Sequence, residues 1–388
     1  MPYYKFGSAK KNGLQKYRVC INYTDEHGKP RSLNRVVHGL EAAKKLEAEL
    51  NDVYKNTGRK KLSSSGKTLN EVYNIMIETK EGEGLKPMTI GNYDGIINTH
   101  VLPTFGDIII DDIDPEMVAK WKTDLNKKGL QTSSKKTIYS DFVMLMNFAV
   151  DMDYINKSPL KGIKQYKDND VKKEMEYYTR EEFAKFIAAA KNWAIENQNK
   201  RGFLSEWDYY VFFCIAFYTG LRKSEIHALT WKEIQNRKLT VKKGVTQDVR
   251  IRKGAPKKDI LGPPKSKSAY REITIPVTLE KILDEHKERQ VSLGVYKESN
   301  FICGVDKWLR NITIFRRNKK FAELAGLKVI RVHDFRHSHV SFLVNHNTNI
   351  TTISHRVGHS NVQMTLNVYA HMYPQQDEIA ADVFDIPL

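Results

Sequence analysis

Four short stretches in the C-terminal half carry side chains able to hold and attack an anionic substrate. In "YTGLRKSEIHALTW" Arg222 follows a glycine at which a helix must end, so its guanidinium can enter a cleft. "PPKSKSAYREITIP" holds Lys265 and Lys267 in what reads as a β-hairpin turn. "RVHDFRHSHVSFL" sets His333 and Arg336 three apart on one helical face. "RVGHSNVQMTLNVYAHMY" supplies His359 in a turn and Tyr369 ten residues later. Guanidinium groups bind anions, imidazoles carry protons near neutrality, and a phenolic hydroxyl can serve as a nucleophile. Pattern alone leaves the tyrosine open, because Val362, Leu366 and Tyr369 fall at i, i+4 and i+7, the spacing of a core-facing stripe. An H-x-x-R pair or a basic turn is common on its own. The order, spacing and chemical completeness of the set single it out.

These side chains need a scaffold, and the flanking sequence describes one. Ser360 with Gln363 reads as a capping box for the helix carrying Tyr369, and Pro374 as its stop. Thr179 with Glu182 boxes the first helix of the last domain, which runs from about residue 169 to 388. That domain is mixed: helices to about 235, strand-like "KLTVKKGV" and "REITIPV" around a polar excursion, then helices again. Residues 65–168 read as helices only, beginning at the Thr68–Glu71 box, with lysines at 86, 120, 122, 127, 128, 135 and 136 available for a phosphate-facing side. Residues 1–64 alternate as strands in "KYRVCINYTD" and "RSLNRVVHG", then continue as the amphipathic "LEAAKKLEAELNDVYKN". The fold class is α+β, mainly helical, in three domains.

Composition names the substrate class. The chain of 388 residues has 63 Lys and Arg against 46 Asp and Glu, a net charge of +17 spread along its length. Residues 1–64 alone hold 14 basic against 6 acidic side chains. Such fields attract polyanions, above all nucleic acid. Cys20, Cys214 and Cys303 are too few and too scattered for a disulfide framework or a zinc motif. No run nears 18 consecutive apolar residues, and "MPYYKFGSAKKNG" has no signal-peptide h-region, so the expected location is the cytoplasm, without a membrane.

With these residues in order, the chain resembles the tyrosine recombinase (phage integrase) family, densely over about 175–375. More loosely it resembles the arm-binding and core-binding domains of integrases from prophages and conjugative transposons. The family's catalytic Arg, Lys, His-x-x-Arg, His or Trp, and Tyr fall on Arg222, Lys265, His333, Arg336, His359 and Tyr369. The resemblance implies that the two arginines hold the nonbridging oxygens of a phosphodiester and neutralise its transition state. His359 would add a hydrogen bond, and His333 would accept or relay the tyrosine proton. Tyr369 would attack phosphorus, leaving a 3′-phosphotyrosyl link and a free 5′-hydroxyl, without metal, ATP or cofactor. Lys265 would protonate the leaving oxygen. Counting back from Arg271 favours it over Lys267, although "GVTQDVRIRKGAPKKDILGPP" lengthens the hairpin and loosens that register. Implied partners are double-stranded DNA at core and arm sites, a homotetramer on DNA, an excisionase and a host DNA-bending protein. The location implied is a bacterial nucleoid. The tail "DEIAADVFDIPL" would dock on a neighbouring protomer.

Rival classes leave more unexplained. A metal hydrolase could use the H-x-x-x-H spacings His333/His337 and His355/His359, but no glutamate follows the first histidine and no cysteine or acidic ligand accompanies them. A DNA-binding regulator would have no use for a complete catalytic set. A type IB topoisomerase shares the chemistry, but the small basic N-terminal block favours an integrase gripping two kinds of site.

Overall fold

The computed structural model describes residues 3–11, 14–24, 30–55, 66–167, 175–197, 206–249, 256–264 and 267–369. The chain divides into two compact units, one ending at Asp170 and the other carrying the remaining described chain. The boundary expected at 64 falls outside the described residues.

The first unit begins with an antiparallel sheet in the order β1-β2-β3: β1 (Tyr3–Lys11), β2 (Leu14–Thr24) and β3 (Pro30–His38). Gly39, at φ 97°, turns the chain into α1 (Leu40–Lys55), and its amide donates back to the Gln15 carbonyl at 2.8 Å. Val19, Ile21 and Ala43 are buried between α1 and the sheet. A helical bundle follows: α2 (Leu69–Gly82), α3 (Pro87–His100), α4 (Leu102–Phe105), α5 (Pro115–Lys127) and α6 (Thr132–Asp151). Thr68 and Glu71 exchange the two bonds of a capping box, and Asp114 caps α5. Trp121 packs edge-on against Phe105 and Phe142 in the bundle core. Lys122, one of the lysines read as available for a phosphate-facing side, has aromatic and backbone partners. Its ammonium lies over the rings of Tyr139 and Tyr166 and donates to the Lys164 carbonyl.

The second unit is built on α8 (Glu206–Thr219), packed against α7 (Arg180–Asn197). The sequence of α8, "EWDYYVFFCIAFYT", is apolar on every side, and such a helix must be enclosed. Phe186 of α7 and Phe213 of α8 share a core with Tyr178, Phe321 and Phe335. Thr179 and Glu182 bond reciprocally at the start of α7, as their spacing predicts. The short α9 (Lys223–Ala228) leads into β4 (Ile234–Gln235) and β5 (Lys238–Val241). The next strands, β6 (Gly244–Val249) and β7 (Lys258–Gly262), pair only with each other, whereas β8 (Arg271–Thr274) returns to give the order β4-β5-β8. The polar excursion is thus a separate hairpin.

Five helices follow among the described residues: α10 (Val277–Ser292), α11 (Asn311–Leu324), α12 (Asp334–Asn345), α13 (Ile350–Val357) and α14 (Val362–Tyr369). Val340, Val344, Ile353, Val357 and Tyr369 form a small second core where α12, α13 and α14 meet. The start of α14 differs from the expected Ser360–Gln363 box. Asn361 Oδ1 accepts from the Gln363 amide at 2.9 Å, while the Ser360 hydroxyl turns to Met364 Sδ. Among the described residues, no helix is long and apolar enough to cross a membrane.

Candidate active site

The first side of the site forms where α8 stops. Gly220 takes the left-handed conformation, φ 64°, and a Cβ there would lie 2.6 Å from His339 Cδ2. Its carbonyl accepts from Arg336 Nη1 at 2.8 Å, so the turn that ends α8 also aims an arginine of α12. Two residues on, Arg222 opens α9. Its Nη1 donates to Glu225 Oε1 at 2.9 Å and its Nη2 to the Gly358 carbonyl at 3.1 Å. Arg222 is 35% exposed, whereas Arg336 is 4% exposed. The two guanidinium groups are therefore held at different depths.

Arg336 carries the clearest electrostatic signal. Burial, then repulsion from Arg222, pulls its guanidinium down to about 9. Its Nη2 is buried without a hydrogen-bond partner. A buried donor on a cation is costly to leave unmade, and an anion with planar oxygens would satisfy it. Beneath it lies Glu225, bonded to Arg271 Nη2 at 2.9 Å as well as to Arg222. Burial alone would raise the Glu225 carboxyl, but the bonds and charge of Arg271, then Arg222, outweigh it and hold the group below its usual range. Gly358, at φ 69°, closes over this pair; a Cβ there would sit 2.8 Å from Arg271 Nη1.

The opposite side holds the phenol. Tyr369 is 2% exposed and packs in the α12–α13–α14 core, as the stripe reading expects. Its hydroxyl is hydrogen-bonded to His337 Nδ1. Burial pushes the phenol up, against the smaller opposing pull of Arg336. His333 does not make this contact. Its ring stands edge-on to His337, centroids 5.2 Å apart, and burial followed by Arg336 lowers it below the usual imidazole range. Burial, Arg336 and Arg222 lower His359 to about 4, while its Nδ1 bonds Thr365 Oγ1 at 2.8 Å. Burial and the same arginines thus shift both imidazoles toward the neutral form.

Arg222, His333, Arg336, His359 and Tyr369 therefore share one electrostatic neighbourhood in the second unit. Lys265 lies outside the described residues, and Lys267 opens a one-turn 3-10 helix, Lys267–Ala269, without a described side chain. Residue types and spacing alone did not select the supports Glu225, His337, His339 and Arg356. Arg356 donates to His339 Nε2, Thr274 O and Tyr218 O, and His339 Nδ1 bonds Phe217 O. Because Arg356 can only donate, His339 must carry its proton on Nδ1. Among the described residues, no three His, Cys, Asp or Glu side chains gather as candidate metal ligands.

Comparison with known proteins gives the same order of parts. The profile of the phage integrase family matches residues 176–376, and that of its N-terminal SAM-like domain matches 68–126. The ICEBs1 integrase of Bacillus subtilis (strain 168) is 28% identical over 390 residues, covering 97% of this chain and 99% of the relative. A tyrosine recombinase XerC-like protein of Caldanaerobacter subterraneus subsp. tengcongensis is 26% identical, covering 97% of each. The fold is similar to the Tn1549 transposon integrase bound to circular intermediate DNA (TM-score 0.60, 21% identity, 82% of this chain and 99% of that one). It is also similar to a lambda integrase dimer on a core site (TM-score 0.57, 18% identity, 93% of each chain). With the family profile spanning more than half of its length, the chain belongs to the phage integrase family, the tyrosine-type site-specific DNA recombinases.

Proposed function

We propose that this recombinase integrates and excises a mobile element by attack of Tyr369 on a DNA phosphodiester, with Arg222 and Arg336 holding the phosphate. The observation that carries this reading is the buried, unpartnered Nη2 of Arg336 beside Arg222 and the Tyr369 side of the site. Two guanidinium groups at an enclosed site stabilise the charge of a pentacoordinate transition state far better than they would in water. His359, and His333 beside Arg336, add imidazoles to the same anion site. A lysine, Lys265 by sequence register over Lys267, protonates the departing 5′-oxygen. The 3′-phosphotyrosyl bond conserves the energy of the broken link, so a second strand's 5′-hydroxyl reverses the step.

Residues 1–64 serve as an arm-site module and 65–168 as the core-site module. The supports are the basic composition and self-contained sheet of the first, and the SAM-like match within the second. A homotetramer on paired sites completes the exchange, assisted by an excisionase and a DNA-bending protein at the bacterial nucleoid. Its support is the lambda integrase tetramer bound to a Holliday junction, similar in fold (TM-score 0.54). The test is Tyr369→Phe on a nicked suicide duplex carrying the element's end: specific binding is retained and no covalent complex appears on a denaturing gel. Covalent product from the variant would mean that another residue attacks.

A further inference from the structure

We propose that His337 accepts the phenolic proton of Tyr369 at Nδ1 as the tyrosine oxygen attacks phosphorus. This rests on the reading of Tyr369 as the nucleophile. The contact is direct: the hydroxyl and Nδ1 are hydrogen-bonded, ring centroids 5.8 Å apart, and no water is needed to bridge them. Packing fixes the geometry. His337 lies one position before Ser338, whose hydroxyl bonds both the Asp334 carbonyl and the Tyr178 amide, while Val340 and Val344 of the same helix pack against Tyr369.

The surroundings favour a neutral imidazole. Asp334 and Arg336 face His337 from α12, His333 and Arg331 from the segment before it, Tyr369 from α14 and His359 from the turn before α14. Burial, then His333, lowers His337 to about 4, and the raising effect of Asp334 does not restore it. The acceptor lone pair is therefore present at pH 7. In the step, the Tyr369 O–H bond breaks toward Nδ1 and the oxygen forms the O–P bond. The P–O5′ pair leaves with the 5′-oxygen, which takes a proton from the lysine ammonium. Religation returns the proton from His337 to the phenol.

The measurement is single-turnover formation of the covalent complex on the nicked duplex from pH 5 to 9. With His337 lowered to about 4 by burial and His333, this group gives the unaltered enzyme a flat profile over the neutral and alkaline part of that range. His337→Ala should be slower by about a hundredfold or more at pH 7. Its rate should climb roughly tenfold per pH unit, since hydroxide must now take the proton, and added imidazole should restore it in part. His337→Asn keeps an oxygen near Nδ1 that can accept a hydrogen bond but not a proton, so it should show the same slope. Asn at the wild-type rate would reduce His337 to holding the hydroxyl. Slow variants with an unchanged flat profile would make its role structural. In the protein without DNA, Tyr369→Phe should move the His337 imidazole ¹⁵N resonances; unmoved resonances would remove the contact itself. No adduct from the unaltered enzyme would instead overturn the nucleophile, a result separable from the others.

Discussion

Arg336 joins the two halves of the chemistry, because one Nη is spent on Gly220 O and the other is left for substrate. Arg336→Ala should leave binding of the core site near wild type while slowing cleavage by a hundredfold or more, since loss of a strong transition-state donor is worth about 3–4 kcal/mol. Arg336→Lys should be nearly as slow, because an ammonium cannot reach Gly220 O and present a second planar donor together. Paired gel-shift and single-turnover assays would show it; cleavage at the wild-type rate by either folded variant would remove Arg336 from the phosphate. The arginines were legible from sequence because a glycine break and an H-x-x-R spacing mark them locally. His337 was not. Its spacing from His333 suggested a metal pair, and only the packing of α12 against α14 brings its ring to the phenol.

Among elements, those set by local chemistry were readable and those set by their surroundings were not. The Thr68–Glu71 and Thr179–Glu182 boxes start helices where their spacing says, since each satisfies its own amides. β1 escaped notice because its ladder is broken between Lys5 and Lys10, around the small "GSA" stretch, so the alternation lapses. At α14, Asn361 took the capping place read for Ser360, one residue later along the chain that leaves Gly358. That glycine offers an element-scale test. Gly358→Ala forces a left-handed φ on alanine, about 1–2 kcal/mol, and drives a Cβ against the Arg271–Glu225 pair. Gly326→Ala has a similar φ of 64° but nothing within 4 Å, so it bears the backbone term alone. Denaturant melts should therefore show the larger loss at 358, and only that variant should also slow cleavage. Equal losses with equal activity would mean that Gly358 serves the turn and not the site.

At the scale of the whole molecule, the proposed division gives gripping and chemistry to separate stretches of chain. Removing residues 1–64 should leave cleavage of an isolated core site intact while abolishing protection of distal arm sites in a footprint. Unchanged distal protection would show that another part of the chain reads those sites. The same separation operates inside the catalytic unit. Val241 pairs directly with Arg271, so the β5–β8 ladder closes as if the chain between them were absent, and β6 and β7 satisfy each other. That closure is also why the register of Lys265 could not be counted reliably across the excursion. Lengthening or shortening the hairpin leaves Arg271 opposite the same partner and Glu225 still bonded beneath it. Length changes between β6 and β7 would therefore leave the Arg271–Glu225 support of the site where it is.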